Sequence, residues 1–167
     1  LSSTLILVVL DEENERYPFL MPRKDPAHLC LYRQDLPESL LDDCDFVHTT
    51  GLMLFENPAA EAVCSFLELC KKKGVPVSLD INLRVETQKM DTTYLRRALN
   101  CTTYLFGSAR EELQPLTGEK DAESAARSLV TKERVVISRM GAEDATVCTQ
   151  NEAFFCGAYK VSVADTL

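Results

Sequence analysis

The stretch "NPAAEAVCSFLELCKKKGVPVSLD", running from Asn57 to Asp80, limits the fold more than any other part of the chain. Val63, Phe66, Leu67 and Cys70 recur at helical spacing and place one apolar stripe on a helix over 58–73. Asn57 is positioned to cap its start, and Pro58 suits the first turn. Lys71, Lys72 and Lys73 complement the negative end of the helix dipole, and Gly74 ends it. Directly after comes "VPVSLD", an apolar run of strand length with the pattern of a strand buried on both faces. A short strand at 45–49, "DFVHT", precedes the helix. Strand, helix and strand with short joints make a βαβ unit, whose crossover is right-handed. A chain built on such a unit needs a parallel sheet with helices packed against it.

The alternation continues through a helix at 92–99, the strand "TTYLF", helices at 109–116 and 122–130, and the strand "RVVIS". Both flanks change character. "TLILVVL", a polar turn at 11–14 and "ERYPFL" read as a β-hairpin, with Pro18 marking an edge strand. "ATVCT", a turn at 150–152 and "AFFCGAY" read as a second hairpin. In the closing "VSVADTL", Val161, Val163 and Ala164 form a last short strand that delivers Asp165 to its carboxyl edge. In open α/β sheets that edge is where ligands bind. No repeat or linker interrupts the pattern, so the expectation is a single α/β domain over 1–167.

Charge and cysteine usage exclude several classes. A net charge of −8 opposes non-specific binding to nucleic acid or to anionic membranes, both of which need clustered cations. No apolar run reaches the length of a membrane span, and no secretory leader is visible. The chain begins at Leu1 rather than Met, which reads as an internal start. Seven cysteines with no C-x-x-C pair and no histidine at zinc spacing suggest small buried hydrophobes in a reducing, cytoplasmic setting.

Three stretches could carry chemistry. In "SLDINLRVE", Asp80, Asn82 and Arg84 follow a buried strand; an arginine there can fork onto phosphate or carboxylate oxygens, and the competing reading is a solvated loop with internally paired charges. In "FGSAREELQPLTG", Ser108 and Glu111 have capping-box spacing, and the alternative is that Glu111 helps hold a hydrated Mg²⁺. In "VVISRMGAEDA", a strand runs into Arg139 and Gly141, either a simple turn or a close backbone approach to a phosphate. His48 reads as a hydrogen-bonded structural residue. Neither a G-x-x-x-x-G-K-[ST] loop nor a G-x-G-x-x-G fingerprint occurs.

Taken in order, "ERYPFLMPRKDPAHLCL", "DFVHTTGLML", "KKKGVPVSLDINLR", "SAREELQPLTG", "VVISRMGAEDA" and "VSVADTL" resemble the ribokinase-like (PfkB) carbohydrate kinases, nearest their fructokinase and 2-keto-3-deoxygluconate kinase branch. The resemblance implies a three-layer α/β/α sandwich with a mostly parallel central sheet and hairpin additions, present here in part. Residues 1–35 would include part of the family's β lid, through which members often form homodimers. It implies transfer of the γ-phosphoryl group of ATP to a hydroxyl of a ketose or keto-sugar acid, with Mg²⁺ and a monovalent cation such as K⁺. Arg23 and Arg84 would face the sugar or the transferring phosphate. Asn82, Ser108, Arg139 and Gly141 would lie toward the nucleotide. Glu111 would be associated with Mg²⁺, although Ser108 stands where the family's motif has asparagine, and Asp165 with the carbonyl of Leu167 would hold the monovalent cation. In the family, the strand ending in Asp-Thr runs into a Gly-Ala-Gly-Asp motif whose aspartate is the catalytic base; the chain is read as stopping before it, so no catalytic residue is expected within 1–167. Asp144, where the family usually has glycine, and Ser108 keep a second reading open, a non-catalytic kinase-like scaffold or regulatory protein.

Overall fold

The computed structural model describes residues 2–3, 5–11, 16–21, 26–82 and 92–161. Strands β1 (Leu5–Leu10) and β2 (Arg16–Met21) form a separate antiparallel ribbon, which confirms the first hairpin. Three 3₁₀ turns, Ala27–Leu29, Arg33–Asp35 and Glu38–Leu41, lead into β3 (Val47–Thr50). A fourth, Gly51–Leu54, connects β3 to helix α1 (Ala59–Lys73). Then follow β4 (Val77–Asp80), α2 (Thr92–Cys101), β5 (Tyr104–Ser108), a π-helical turn (Ala109–Leu113) running into α3 (Gln114–Thr117), α4 (Ala122–Leu129), β6 (Val135–Arg139), β7 (Asp144–Cys148) and β8 (Ala153–Gly157). The expected closing strand falls mostly on 162–167, outside the described residues.

Six strands lie in the order β3-β4-β5-β6-β7-β8. The first four are parallel and the last two antiparallel, so the βαβ unit and the second hairpin are both present in one mixed sheet. Each parallel step moves one strand in the same direction, and right-handed crossovers then carry the connecting helices to the same face. The buried residues agree. Val77, Leu79, Leu105, Val136 and Cys148 share a face by register and join Val63, Phe66, Leu67 and Cys70 of α1, Leu95 and Ala98 of α2, and Ala125 and Ala126 of α4 in one core. Burying each such leucine fully is worth roughly 1.5–3 kcal/mol. The described residues thus supply two layers, sheet and helices. On the opposite face, Phe46, Tyr104 and Phe154 remain 45%, 38% and 46% exposed, which leaves that side apolar and open.

Local details follow from residue chemistry. Gly74 adopts φ +76° and closes α1, with its N–H bonding to the carbonyls of Cys70 and Lys71. The start of α1 differs from expectation: Pro58 occupies the capping position, while the Asn57 Oδ1 accepts the Glu61 N–H at 3.3 Å, one turn further in. At the amino edge of the sheet, the half-buried Arg134 donates to the carbonyls of Leu99, Thr102 and Leu129. It thereby ties the ends of α2 and α4 to β6. Burial lowers the pKa of this guanidinium from its usual value.

Candidate functional site

Because β4, β5 and β6 run parallel, their carboxyl ends open on one edge, and each delivers a polar side chain there. Asp80 ends β4 and Arg139 ends β6, with β5 between them. Two strand spacings amount to about 10 Å, a gap that a long arginine can cross and a short side chain cannot. The Arg139 guanidinium donates to both Asp80 oxygens, from Nη1 to Oδ2 at 2.8 Å and from Nη2 to Oδ1 at 2.7 Å. This is the fork geometry that makes arginine–carboxylate pairs strong and directional. The same Nη2 lies 3.7 Å from Oε2 of Glu112, whose side chain is only 7% exposed.

Glu112 is held from the other side as well. Its Oε2 accepts the Ser108 N–H at 2.6 Å, while the Ser108 hydroxyl accepts the Glu111 N–H at 3.4 Å. Ser108 is therefore the N-cap of the turn that follows β5. The capping expectation holds for its hydroxyl and shifts by one residue for the carboxylate. In a π-helical turn the backbone overshoots the α-helical repeat, so the side chain that returns to the cap comes from the fourth residue on, Glu112, rather than the third. Glu111 is exposed and contributes a backbone N–H to the cap.

A signal for Glu112 exists in the sequence: Ala109, Glu112, Leu113 and Leu116 share helical spacing, which puts a carboxylate on the buried face of the turn. A charged residue on an apolar stripe needs a partner, and Arg139 and the Ser108 N–H provide it.

The remaining candidates are distributed as follows. Asn82, two residues past Asp80, is exposed and has φ +41°, the left-handed backbone that asparagine tolerates better than most residues. It turns the chain at the edge directly after Ile81, whose N–H bonds to the Phe106 carbonyl. Gly141 has φ +66° in the tight turn between β6 and β7, where the Met140 N–H bonds to the Asp144 carbonyl. Arg23, Arg84, Asp165 and Leu167 lie outside the described residues. The structure therefore brings Asp80, Ser108, Glu112 and Arg139 together, with Asn82 just past β4 and Gly141 in the turn after β6.

An open depression of about 440 Å³ lies beside this cluster on the uncovered face, lined by Phe46, His48, Ser78, Asp80, Tyr104 and Phe106. His48 Nδ1 and Ser78 Oγ are 2.5 Å apart across β3 and β4, so His48 is hydrogen-bonded as anticipated. Covalent thiol chemistry has no support in the core, because burial pushes the Cys64 and Cys70 thiols up to about 11. All seven cysteines are unpaired.

Among the described residues no group of three His, Cys, Asp or Glu side chains could cage a metal ion. Both Asp80 oxygens are taken by the Arg139 fork, which leaves Glu112 as the hard oxygen donor of this cluster. A single carboxylate fits a hydrated Mg²⁺ arriving with phosphate oxygens and does not fit a bare ion held by protein alone. Chemically, the described edge combines a forked cation with two anchored carboxylates, and the accessible guanidinium can present its remaining N–H donors to an anion.

Comparison with known proteins agrees with this geometry. Residues 3–167 match the pfkB family of carbohydrate kinases, and the chain belongs to that family. A 5-dehydro-2-deoxygluconokinase of Listeria monocytogenes serovar 1/2a is 24% identical over 153 residues, covering 88% of this chain and 47% of that protein. Among solved structures, a fructokinase with bound ATP from Xylella fastidiosa superposes with a TM-score of 0.80 at 21% identity, covering 97% of this chain and 51% of that one. A fructokinase from Vibrio cholerae O395 in a fructose, ADP and calcium ion bound form gives 0.75 at 23% identity, covering 96% and 53%. The chain thus has the ribokinase-like α/β fold in part and spans about half the length of the relatives it matches. Among the described residues no helix is long and apolar enough to cross a membrane.

Proposed function

We propose that this chain forms the nucleotide-facing part of a sugar kinase that transfers the γ-phosphoryl group of Mg-ATP to a hydroxyl of a ketose or keto-sugar acid. The observation that carries the reading is the convergence of Asp80, Glu112 and Arg139 on one carboxyl edge of a parallel sheet. Phosphoryl transfer spreads charge over equatorial oxygens and asks the protein mainly for positioning and electrostatic stabilisation. Arg139 supplies a directional cation for the phosphates, and Asn82, Ser108 and Gly141 supply the polar rim around it. Mg²⁺, when bound with ATP, would neutralise phosphate charge. We assign its water-mediated contact to Glu112 in preference to Glu111, because Glu112 is the carboxylate fixed at the edge.

The sugar side is assigned to Arg23 and Arg84, and a monovalent cation to Asp165 with the Leu167 carbonyl; these assignments rest on the family resemblance of their motifs. The names of the matched relatives, a 5-dehydro-2-deoxygluconokinase and fructokinases, fit a keto-sugar acceptor. The β1–β2 ribbon exposes Leu5, Leu7, Val9, Tyr17 and Phe19 at 45–54%. We assign this ribbon to the lid and to pairing of two copies. Unpaired cysteines in number fit a reducing cytoplasm.

The test is sugar-dependent ADP release by the intact protein with Mg-ATP and a panel of ketoses and keto-sugar acids. Turnover with at least one acceptor is expected. Nucleotide binding without turnover on any acceptor would support the scaffold reading instead.

A further inference from the structure

We infer that Asp80 is a positioning residue for nucleotide binding, acting through Arg139 rather than on the ligand. The inference rests on the nucleotide reading of this edge and goes beyond it by assigning a role to a carboxylate that would otherwise repel phosphate. Three observations carry it. Asp80 takes both terminal nitrogens of the Arg139 guanidinium, at 2.8 and 2.7 Å, so the plane of the fork is fixed as well as its place. The Asp80 side chain is 21% exposed and the Arg139 side chain 46% exposed, so the carboxylate is the more enclosed partner and the arginine the more accessible one. The pair also bridges β4 and β6 over β5, tying the strand end just before Asn82 to the strand end just before the Gly141 turn.

Without Asp80, Arg139 would be a long side chain at a strand end with many rotamers and, among the described residues, Glu112 at 3.7 Å as its remaining ion-pair neighbour. An anion would then have to order it on binding. With Asp80 present, that ordering is already in place in the free protein, which is the general route by which preorganisation improves affinity. The guanidinium has five N–H donors, so a bidentate carboxylate leaves others for phosphate oxygens. Glu112 flanks the same nitrogen and is itself anchored on the Ser108 N–H, which limits how far the fork can swing when Asp80 is removed.

Two effects of opposite sign separate this role from plain electrostatics. Direct repulsion between Asp80 and phosphate predicts tighter binding on removal of the carboxylate, whether or not Arg139 is present. Positioning predicts weaker binding, and only when Arg139 is present. The experiment is a double-mutant cycle on the intact protein, with Mg-ADP affinity measured by calorimetry for the native chain, Asp80→Ala, Arg139→Ala and the double variant. We expect Asp80→Ala to weaken binding three- to tenfold in the native background and to cause no loss in the Arg139→Ala background. Equal or tighter binding by Asp80→Ala, or the same loss in both backgrounds, overturns the positioning role and leaves the nucleotide reading standing. Absence of Mg-ADP binding by the native protein overturns the nucleotide reading and this inference with it. If Asp80→Ala does not fold, Asp80→Asn is used with the ¹⁵N resonance of the Arg139 Nε–H as readout. Hindered guanidinium rotation in the native protein that becomes fast in Asp80→Asn supports the role; identical dynamics in the two proteins overturn it.

Discussion

Arg139 and Asp80 stand 59 residues apart in the chain and meet through two hydrogen bonds of 2.7 and 2.8 Å across an intervening strand. The pairing gives the carboxyl edge its one described arginine fork and brings the ends of β4 and β6 into a common site. Glu112 completes the cluster from the turn after β5. The site is therefore a product of sheet order: if β5 were not seated between its neighbours, neither the span nor Glu112 would be in place.

Gly107 controls that third member. A Cβ there would lie 2.8 Å from Leu113 Cδ2, 3.1 Å from Leu113 Cγ and 3.2 Å from Ile81 Cδ1, all in side chains that are buried. Gly107→Ala is expected to destabilise the fold by roughly 1–2 kcal/mol through overpacking. By displacing Leu113 it also shifts the π-turn that carries Glu112. Chemical denaturation measures the first effect. An unchanged midpoint would mean that Leu113 relaxes freely.

Much of this architecture is legible in the sequence, and the site is legible only in part. The α1–β4 unit announces itself through the Val63, Phe66, Leu67 and Cys70 stripe and the apolar "VPVSL" run, because periodicity reports burial directly. Both hairpins follow from alternation and turn residues. The carboxyl end of β3 lies one residue and that of β5 two residues beyond the apolar pattern, because the polar edge residues Thr50 and Ser108 still pair in the sheet. Capping-box spacing points to Glu111 rather than Glu112 because it assumes an α-helix, and nothing in local sequence announces a π-helical turn. The partner of Arg139 could not be read at all, since Asp80 reaches it only through tertiary strand order. Arg84, the arginine nearest to Asp80 in sequence, lies outside the described residues.

Thiol titration gives a pH signature. Burial raises the Cys64 and Cys70 thiols from 9.0 to about 11, so the folded state retains protons that the unfolded chain has lost. Their contribution to stability is fully present below pH 9 and is lost as pH rises from 9 to 11. Melting temperature followed across that window should fall, and Cys64→Ala with Cys70→Ala should flatten the fall relative to the native protein. In the folded protein at pH 8, the exposed Cys156 should react with a thiol reagent while Cys64 and Cys70 do not. Rapid modification of the buried pair would contradict their placement in the core.

The β1–β2 ribbon makes a separate prediction about assembly. Leu7 pairs with Phe19 and Val9 with Tyr17 on one exposed apolar face. On the proposed pairing through this face, Leu7→Ser together with Phe19→Ser removes apolar side chains that are exposed in the single chain. The same change should shift sedimentation from dimer toward monomer. A dimer of undiminished affinity would place the pairing surface elsewhere.

On the proposed function, the carboxyl edge around Arg139 binds the phosphates of a nucleotide. The most direct test is the affinity of the intact protein for Mg-ATP before and after Arg139→Ala, with Arg97→Ala as a control, since Arg97 pairs with Glu61 and Glu68 on the surface of α1 and α2. Losing one charge-assisted phosphate contact should cost on the order of 1.5–3 kcal/mol, roughly a ten- to hundredfold weakening, while the control stays near native. Equal affinity in the native protein and Arg139→Ala would contradict the account.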